Sequence, residues 1–165
     1  MNNFTIEFKW AIIFSVMTLI WIFLERILGF HGDNVDQHAS FTNFVAIPSI
    51  AIYILGMLEK RRNYYDGYMN YAEGFVAGLK MTLFVMLLSP LVNYLALEFV
   101  SPNYLTNIGT YAVNNDLISQ EQADVTFSLT SYILQGLIGA GIMGFLTTAV
   151  VAIFTRKTRK PDLQA

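Results

Sequence analysis

The chain has 165 residues, 55% of them hydrophobic and 15% aromatic, with only 13% charged. No ordinary water-soluble core uses that much apolar surface, so a soluble globular domain is excluded. The formal net charge of -2 says little about partners, because charge in a membrane protein is sorted by side, and the absence of cysteine excludes disulfides.

The apolar residues gather into four long runs, 10–28, 41–58, 74–97 and 132–154. Each is close to the ~20 residues that carry a helix across ~30 Å of hydrocarbon. The pattern predicts one all-α transmembrane domain over residues 1–165, with four spans and a helical outer loop over 100–130. The first run is read as a permanent helix, since its flank carries both Glu7 and Lys9 and no small-residue cleavage site follows. Of the ten Lys and Arg residues, all but Arg26 fall on one side when both termini are inside. That asymmetry predicts an inner-membrane protein with cytoplasmic N- and C-termini.

"LERILGFH" ends the first run with Glu25 and Arg26 about one turn below its outer boundary. Counting inward on the other runs, Asn43, Asn93 and Gln135 lie at similar depth, with Ser89 one turn from Asn93 on the same helix face. A polar side chain in hydrocarbon is costly unless it finds a partner. The expectation is therefore a polar layer in which Glu25 points inward, bonds Asn43, Asn93 or Gln135, and is the group most able to take a proton or cation. Arg26, about 100° further round, points to the outer interface. Pro48 and Pro90 sit just below this layer and free the carbonyls of Phe44 and Met86.

In the inner loop, Asn70 and Glu73 have capping-box spacing ahead of the third run, and Tyr64, Tyr65, Tyr68 and Tyr71 form an aromatic belt. The outer loop opens at Ser101-Pro102 with a helix start, and Ser119 with Gln122 is a second capping box. Both loop helices are expected to be amphipathic and to lie over the polar layer. The fourth run carries Gly136, Ala140 and Gly144 at i+4 spacing, a ridge that lets another backbone approach, and Gly74 with Gly78 is its counterpart on the third. An intrachain partner is expected, with a homo-oligomer as the alternative.

The outer turn holds His31, Asp33, Asp36 and His38. With Glu25 these are the residue types that ligate metals, but their spacing matches no zinc or calcium signature, so they are read as a solvated loop and no metal or cofactor is assigned. No nucleophile elbow, HExxH or phosphate-binding motif occurs, and no basic aromatic face points to nucleic acid. The reading is a noncatalytic structural or accessory protein whose partner is the lipid bilayer. A small oligomeric transporter or channel built on the layer around Glu25 is the alternative.

Nearly the whole chain resembles a bacterial four-helix integral membrane family, domain of unknown function 4199. The landmarks are "WIFLERILGFH", "TNFVAIPSI", "YYDGYMNYAEGF", "LSPLVNYL" and "SYILQGLIGA". The resemblance implies a polytopic inner-membrane protein and carries over no catalytic residue. It places Glu25, Asn43, Pro48, Pro90 and Gln135 among the family's landmarks.

Overall fold

The computed structural model describes residues 4–158. Arg159 and Lys160, counted above in the basic flank, lie outside the described residues. Among the described residues seven α-helices follow one another: α1 (Thr5–Ile27), α2 (His38–Phe41), α3 (Ala46–Asn63), α4 (Tyr71–Leu95), α5 (Tyr104–Asn114), α6 (Gln120–Thr126) and α7 (Leu129–Thr155). Four helical paths are long and apolar enough to cross a membrane: Thr5–Ile27, Val35–Asn63, Tyr71–Val100 and Leu129–Thr155. Their exposed surface is a coat of Ile, Leu, Val and Phe, as lipid-facing helices require. The paths differ from the apolar runs by a few residues at their ends, and at the starts of α4, α6 and α7 side-chain caps set the boundary. Asn70 and Glu73 close a capping box on α4, Ser119 and Gln122 close one on α6, and Ser128 caps α7 separately, so α6 does not run on into the fourth span.

The core of the bundle is the antiparallel contact between α4 and α7. A Cβ on Gly144 would stand 2.5 Å from Thr82 Cγ2, and one on Gly78 would meet Thr148 Cγ2 at 2.6 Å as well as the end of Met57. Gly136 faces the Asn93 amide with no room for a side chain, and Gly74 faces Ala152 at 3.6 Å. The small-residue ridge thus packs against α4 of the same chain at Gly136 and Gly144, with Gly144 buried and Gly136 half-buried. At mid-height Tyr53 and Thr82 share a 2.9 Å hydrogen bond beside the buried Thr148.

Helix α1 runs against α3 through Trp10, which fills the notch left by Gly56, and Phe14, whose ring meets Tyr53 edge-on at 6.0 Å. At the end carrying the termini, Lys60 Nζ reaches Glu7 Oε1 at 2.9 Å with both side chains buried, and Lys9 reaches Glu59 at 2.6 Å. Met69 and Lys157 exchange backbone hydrogen bonds of 2.9 and 2.7 Å there, fastening the α3–α4 loop to the end of α7.

The two prolines are accommodated differently. Pro48 sits in the first turn of α3, just after a 3-10 stretch over Thr42–Val45, where a missing donor matters least. Pro90 lies inside α4, and the Met86 carbonyl that it frees accepts from Ser89 Oγ at 3.1 Å. Helix α4 then widens into a π turn over Ala96–Val100, closed by Ser101 N donating to Ala96 O at 2.7 Å.

Candidate metal centre

The loop end of the bundle is shaped by how α1 stops. Leu28 is its C-cap and Gly29 follows with φ 84°, a left-handed conformation that favours glycine. Gly29 N donates to Arg26 O and Phe30 N to Glu25 O, each at 3.0 Å, which is the Schellman pattern. Phe30 is held by stacking on Phe41 of α2 at 4.2 Å, and Phe41 also stacks on Trp21 at 5.5 Å. This reversal carries the next residue, His31, back over the last turn of α1. His38 approaches from the other side, at the start of α2.

Three side chains converge as a result. Glu25 is 2% exposed and His31 7%, and the His38 side chain is 12% exposed. Glu25 Oε2 lies 3.4 Å from His31 Nε2 and 3.5 Å from His38 Nε2, and all three donor atoms fall within 4.8 Å of one another. The remaining polar atoms of these groups are all engaged. Trp21 Nε1 donates to Glu25 Oε1 at 2.7 Å, His31 Nδ1 meets Ser101 Oγ at 2.6 Å, and His38 Nδ1 meets Tyr104 OH at 3.2 Å. Asn107 Nδ2 donates to the His31 carbonyl at 2.7 Å, so α5 holds the loop in place.

These lengths can be set beside the geometry of an ion pair and of a shared ion. An imidazolium paired with a carboxylate closes to about 2.7–2.9 Å. Two donors about 2.0–2.1 Å from a tetrahedral zinc ion lie about 3.4 Å apart, whereas the same bonds at an octahedral ion place them about 3.0 Å apart. The separations of 3.4 and 3.5 Å are longer than a charged hydrogen bond, and the three donor atoms are close enough together to converge on one ion. If each Nδ1–H is donated to its hydroxyl, both Nε2 lone pairs are free to ligate an ion beside the Glu25 carboxylate. A fixed acceptor on the outer nitrogen is what orients a metal-bound histidine, and here Ser101 and Tyr104 hydroxyls stand in that place.

Tyr104 is buried, and its phenol is pushed well above the usual range, first by burial and then by the neighbouring Tyr132 and Glu25 charge. It therefore serves His38 as a neutral hydroxyl. Tyr132 of α7 packs edge-on against it at 5.9 Å. Beside the three donors lies a cavity of about 180 Å³, lined in part by Thr42, Asn93 and Tyr132.

The residues expected to surround Glu25 are divided by the structure. Glu25 points inward and Arg26 is exposed, and Asn93 lines the cavity with Glu25. Asn43 is exposed and donates to Ala39 O at 2.8 Å, while Gln135 is exposed and donates to Thr126 O at 3.1 Å. Neither bonds Glu25, whose side-chain partners are Trp21, Thr42 and the two histidines. The reason is azimuth. Depth along a helix leaves open which way a side chain faces, and at these positions Thr42 and Gly136 take the inward direction. His31 and His38, read from sequence as solvated loop residues, are drawn into the bundle, whereas Asp33 and Asp36 remain exposed. Trp21, Ser101 and Tyr104 had no site role in the sequence reading. The only available signal was Trp21 at i−4 from Glu25, which places the two on one helix face.

Fold and site together define a four-span helical membrane protein with a buried donor set of one glutamate and two histidines at one end. The chain belongs to the family described as Protein of unknown function (DUF4199), whose profile matches residues 9–157. No curated protein and no solved structure matches the chain.

Proposed function

We propose that the protein is a noncatalytic accessory protein of the inner membrane that holds one zinc-class divalent ion at the outer end of its bundle. The observation that carries this reading is the convergence of Glu25, His31 and His38, whose donor atoms lie within 4.8 Å of one another in a buried site. A nitrogen-rich set with one carboxylate suits zinc over calcium or magnesium, which take oxygen ligands. One chain supplies every donor, and the ridge that would otherwise serve a second copy is occupied by α4, so a protomer binds the ion unaided. The basic residues support cytoplasmic termini and an outer position for the centre. Transport is the second reading, and the observation in its favour is that Asn93 shares the cavity with Glu25. The close packing at Gly78 and Gly144 weighs against it, because it fills the bundle axis below the site.

The test is metal-dependent stability of the full-length protein in detergent. Zinc at a hundred times its dissociation constant should stabilise the wild type by about 2.7 kcal/mol, and magnesium should not. Glu25→Gln and His38→Ala should each abolish that gain. Equal stabilisation of wild type and both variants would reject the centre. Single cysteines placed at Asn115 and Tyr65 test sidedness. An impermeant thiol reagent on intact cells should label the first, and labelling only the second would reverse the orientation.

A further inference from the structure

Three protein donors leave a tetrahedral ion one position short, and zinc sites with three protein ligands complete the shell with water or an exogenous ligand. This inference rests on the metal reading above. Among the described residues the other acids of the outer turn, Asp33 and Asp36, are exposed, and Tyr104 is committed to His38 Nδ1 at 3.2 Å. What adjoins the donor set instead is the cavity of about 180 Å³. At the ~30 Å³ that one water occupies in the liquid, it holds about six waters or one small organic ligand.

Its walls state what that ligand is. A divalent ion with Glu25 as the single anionic donor leaves one uncompensated positive charge in a buried site, so one negative charge on the ligand neutralises it and a dianion overshoots. Asn93 and Tyr132 contribute an amide and a phenol to the same cavity, neutral groups able to donate to a second ligand oxygen. The rest of the wall includes Ile22, Val45 and Leu97, an apolar surface that fits a short hydrocarbon tail and would leave a hydrated phosphate unsatisfied. Glu25 and the histidines are given to the ion and to their Trp21, Thr42, Ser101 and Tyr104 partners, so the Asn93 amide and the Tyr132 hydroxyl, the latter also bonded to Tyr104, are left to meet a ligand.

We propose that the fourth coordination position opens into this cavity and takes an exchangeable oxygen ligand, water at rest and a short-chain monocarboxylate when one is present. Binding is a ligand exchange in which the carboxylate oxygen forms the new bond to the ion as the water leaves. The second oxygen accepts from the Asn93 amide or the Tyr132 hydroxyl, and the alkyl group lies against Ile22, Val45 and Leu97.

Cobalt(II) replaces zinc with a visible spectrum that reports its ligands. Full-length protein loaded with one equivalent of cobalt is titrated with acetate and butyrate, and separately with inorganic phosphate. The expected result is a saturable spectral change with both carboxylates, tighter for butyrate, and none with phosphate at the same concentration. Asn93→Ala and Tyr132→Phe should each weaken carboxylate binding at least tenfold more than they weaken cobalt binding. A cobalt spectrum indifferent to every anion, or one that responds equally to phosphate, overturns the open carboxylate position and leaves the metal centre standing. Failure of the wild type to bind cobalt at all overturns both.

Discussion

Helix α1 buries two carboxylates on one face about five turns apart, and they are satisfied in different ways. Glu7, at the end with the termini, has an ammonium opposite it at 2.9 Å, and the Lys60 Nζ is further held 3.8 Å from the centre of the Tyr64 ring. Glu25, at the loop end, has two imidazole nitrogens opposite it at 3.4 and 3.5 Å. The first pair has closed to ion-pair distance, as opposite charges in a poorly solvated place do, although the Glu7 oxygens gain no well-aligned hydrogen bond. The second stays longer than a charged hydrogen bond. One carboxylate thus faces a fixed cation, and the other faces two groups that can carry a proton or ligate an ion.

The comparison breaks most readily at the Glu7 end. Replacing one partner of a buried pair leaves the other charge uncompensated, so Lys60→Met should cost about 3–5 kcal/mol of stability in a denaturant titration in detergent. Adding Glu7→Gln should recover most of that loss, and zinc should neither rescue the single variant nor distinguish it from the double. A large zinc rescue would show that the two ends are coupled.

Between the ends the packing should be intolerant in a position-specific way. Gly144→Leu forces a side chain against Thr82 and Tyr53 and should cost about 1–3 kcal/mol. Gly139, in the same helix, has nothing within 4 Å of where its Cβ would stand, and Gly139→Leu should stay within about 0.5 kcal/mol. Equal effects at the two positions would contradict the α4–α7 register.

The loop end is sharpened by removing support without removing donors. Ser101→Ala and Tyr104→Phe each delete a hydroxyl bonded to an outer histidine nitrogen, and each should lower zinc affinity about 10- to 100-fold with the fold intact. If neither changes affinity, the histidines are not oriented as described. The smallest effect belongs to Arg26, the sequence neighbour of Glu25. It is exposed, and Arg26→Ala should change stability by no more than about 0.5 kcal/mol and zinc affinity by no more than about threefold.

Much of this architecture is readable from the residues. The four spans follow from apolar runs, the starts of α4 and α6 from Asn70 with Glu73 and Ser119 with Gln122, and the close helix crossing from Gly136, Gly144, Gly74 and Gly78. These are local or periodic features. The site is neither. Its donors come from the last turn of α1, from the reversal after Gly29 and from the start of α2, and their outer-nitrogen partners come from the α4–α5 junction. The spacing of Glu25, His31 and His38 matches no ligand motif, because a turn and a stacked pair of phenylalanines bring them together, not one helix face. Gly29 after Leu28 does announce the stop of α1. That the stop returns His31 onto Glu25 depends on where Phe30 finds Phe41 and where Ser101 waits, and those contacts exist only once the bundle has formed. Asn43 and Gln135 show the converse, since depth alone placed them near Glu25 and the direction of the helix turned them away.

X-ray absorption at the zinc edge of the full-length, zinc-loaded protein tests the central claim most directly. The account predicts a four-coordinate ion with two imidazoles and two oxygen-donor ligands at about 2.0–2.2 Å, one imidazole lost in His31→Ala and in His38→Ala, and one oxygen lost or replaced by water in Glu25→Gln. Zinc bound with no imidazole scattering, or with the same scattering in wild type and the two histidine variants, would contradict it.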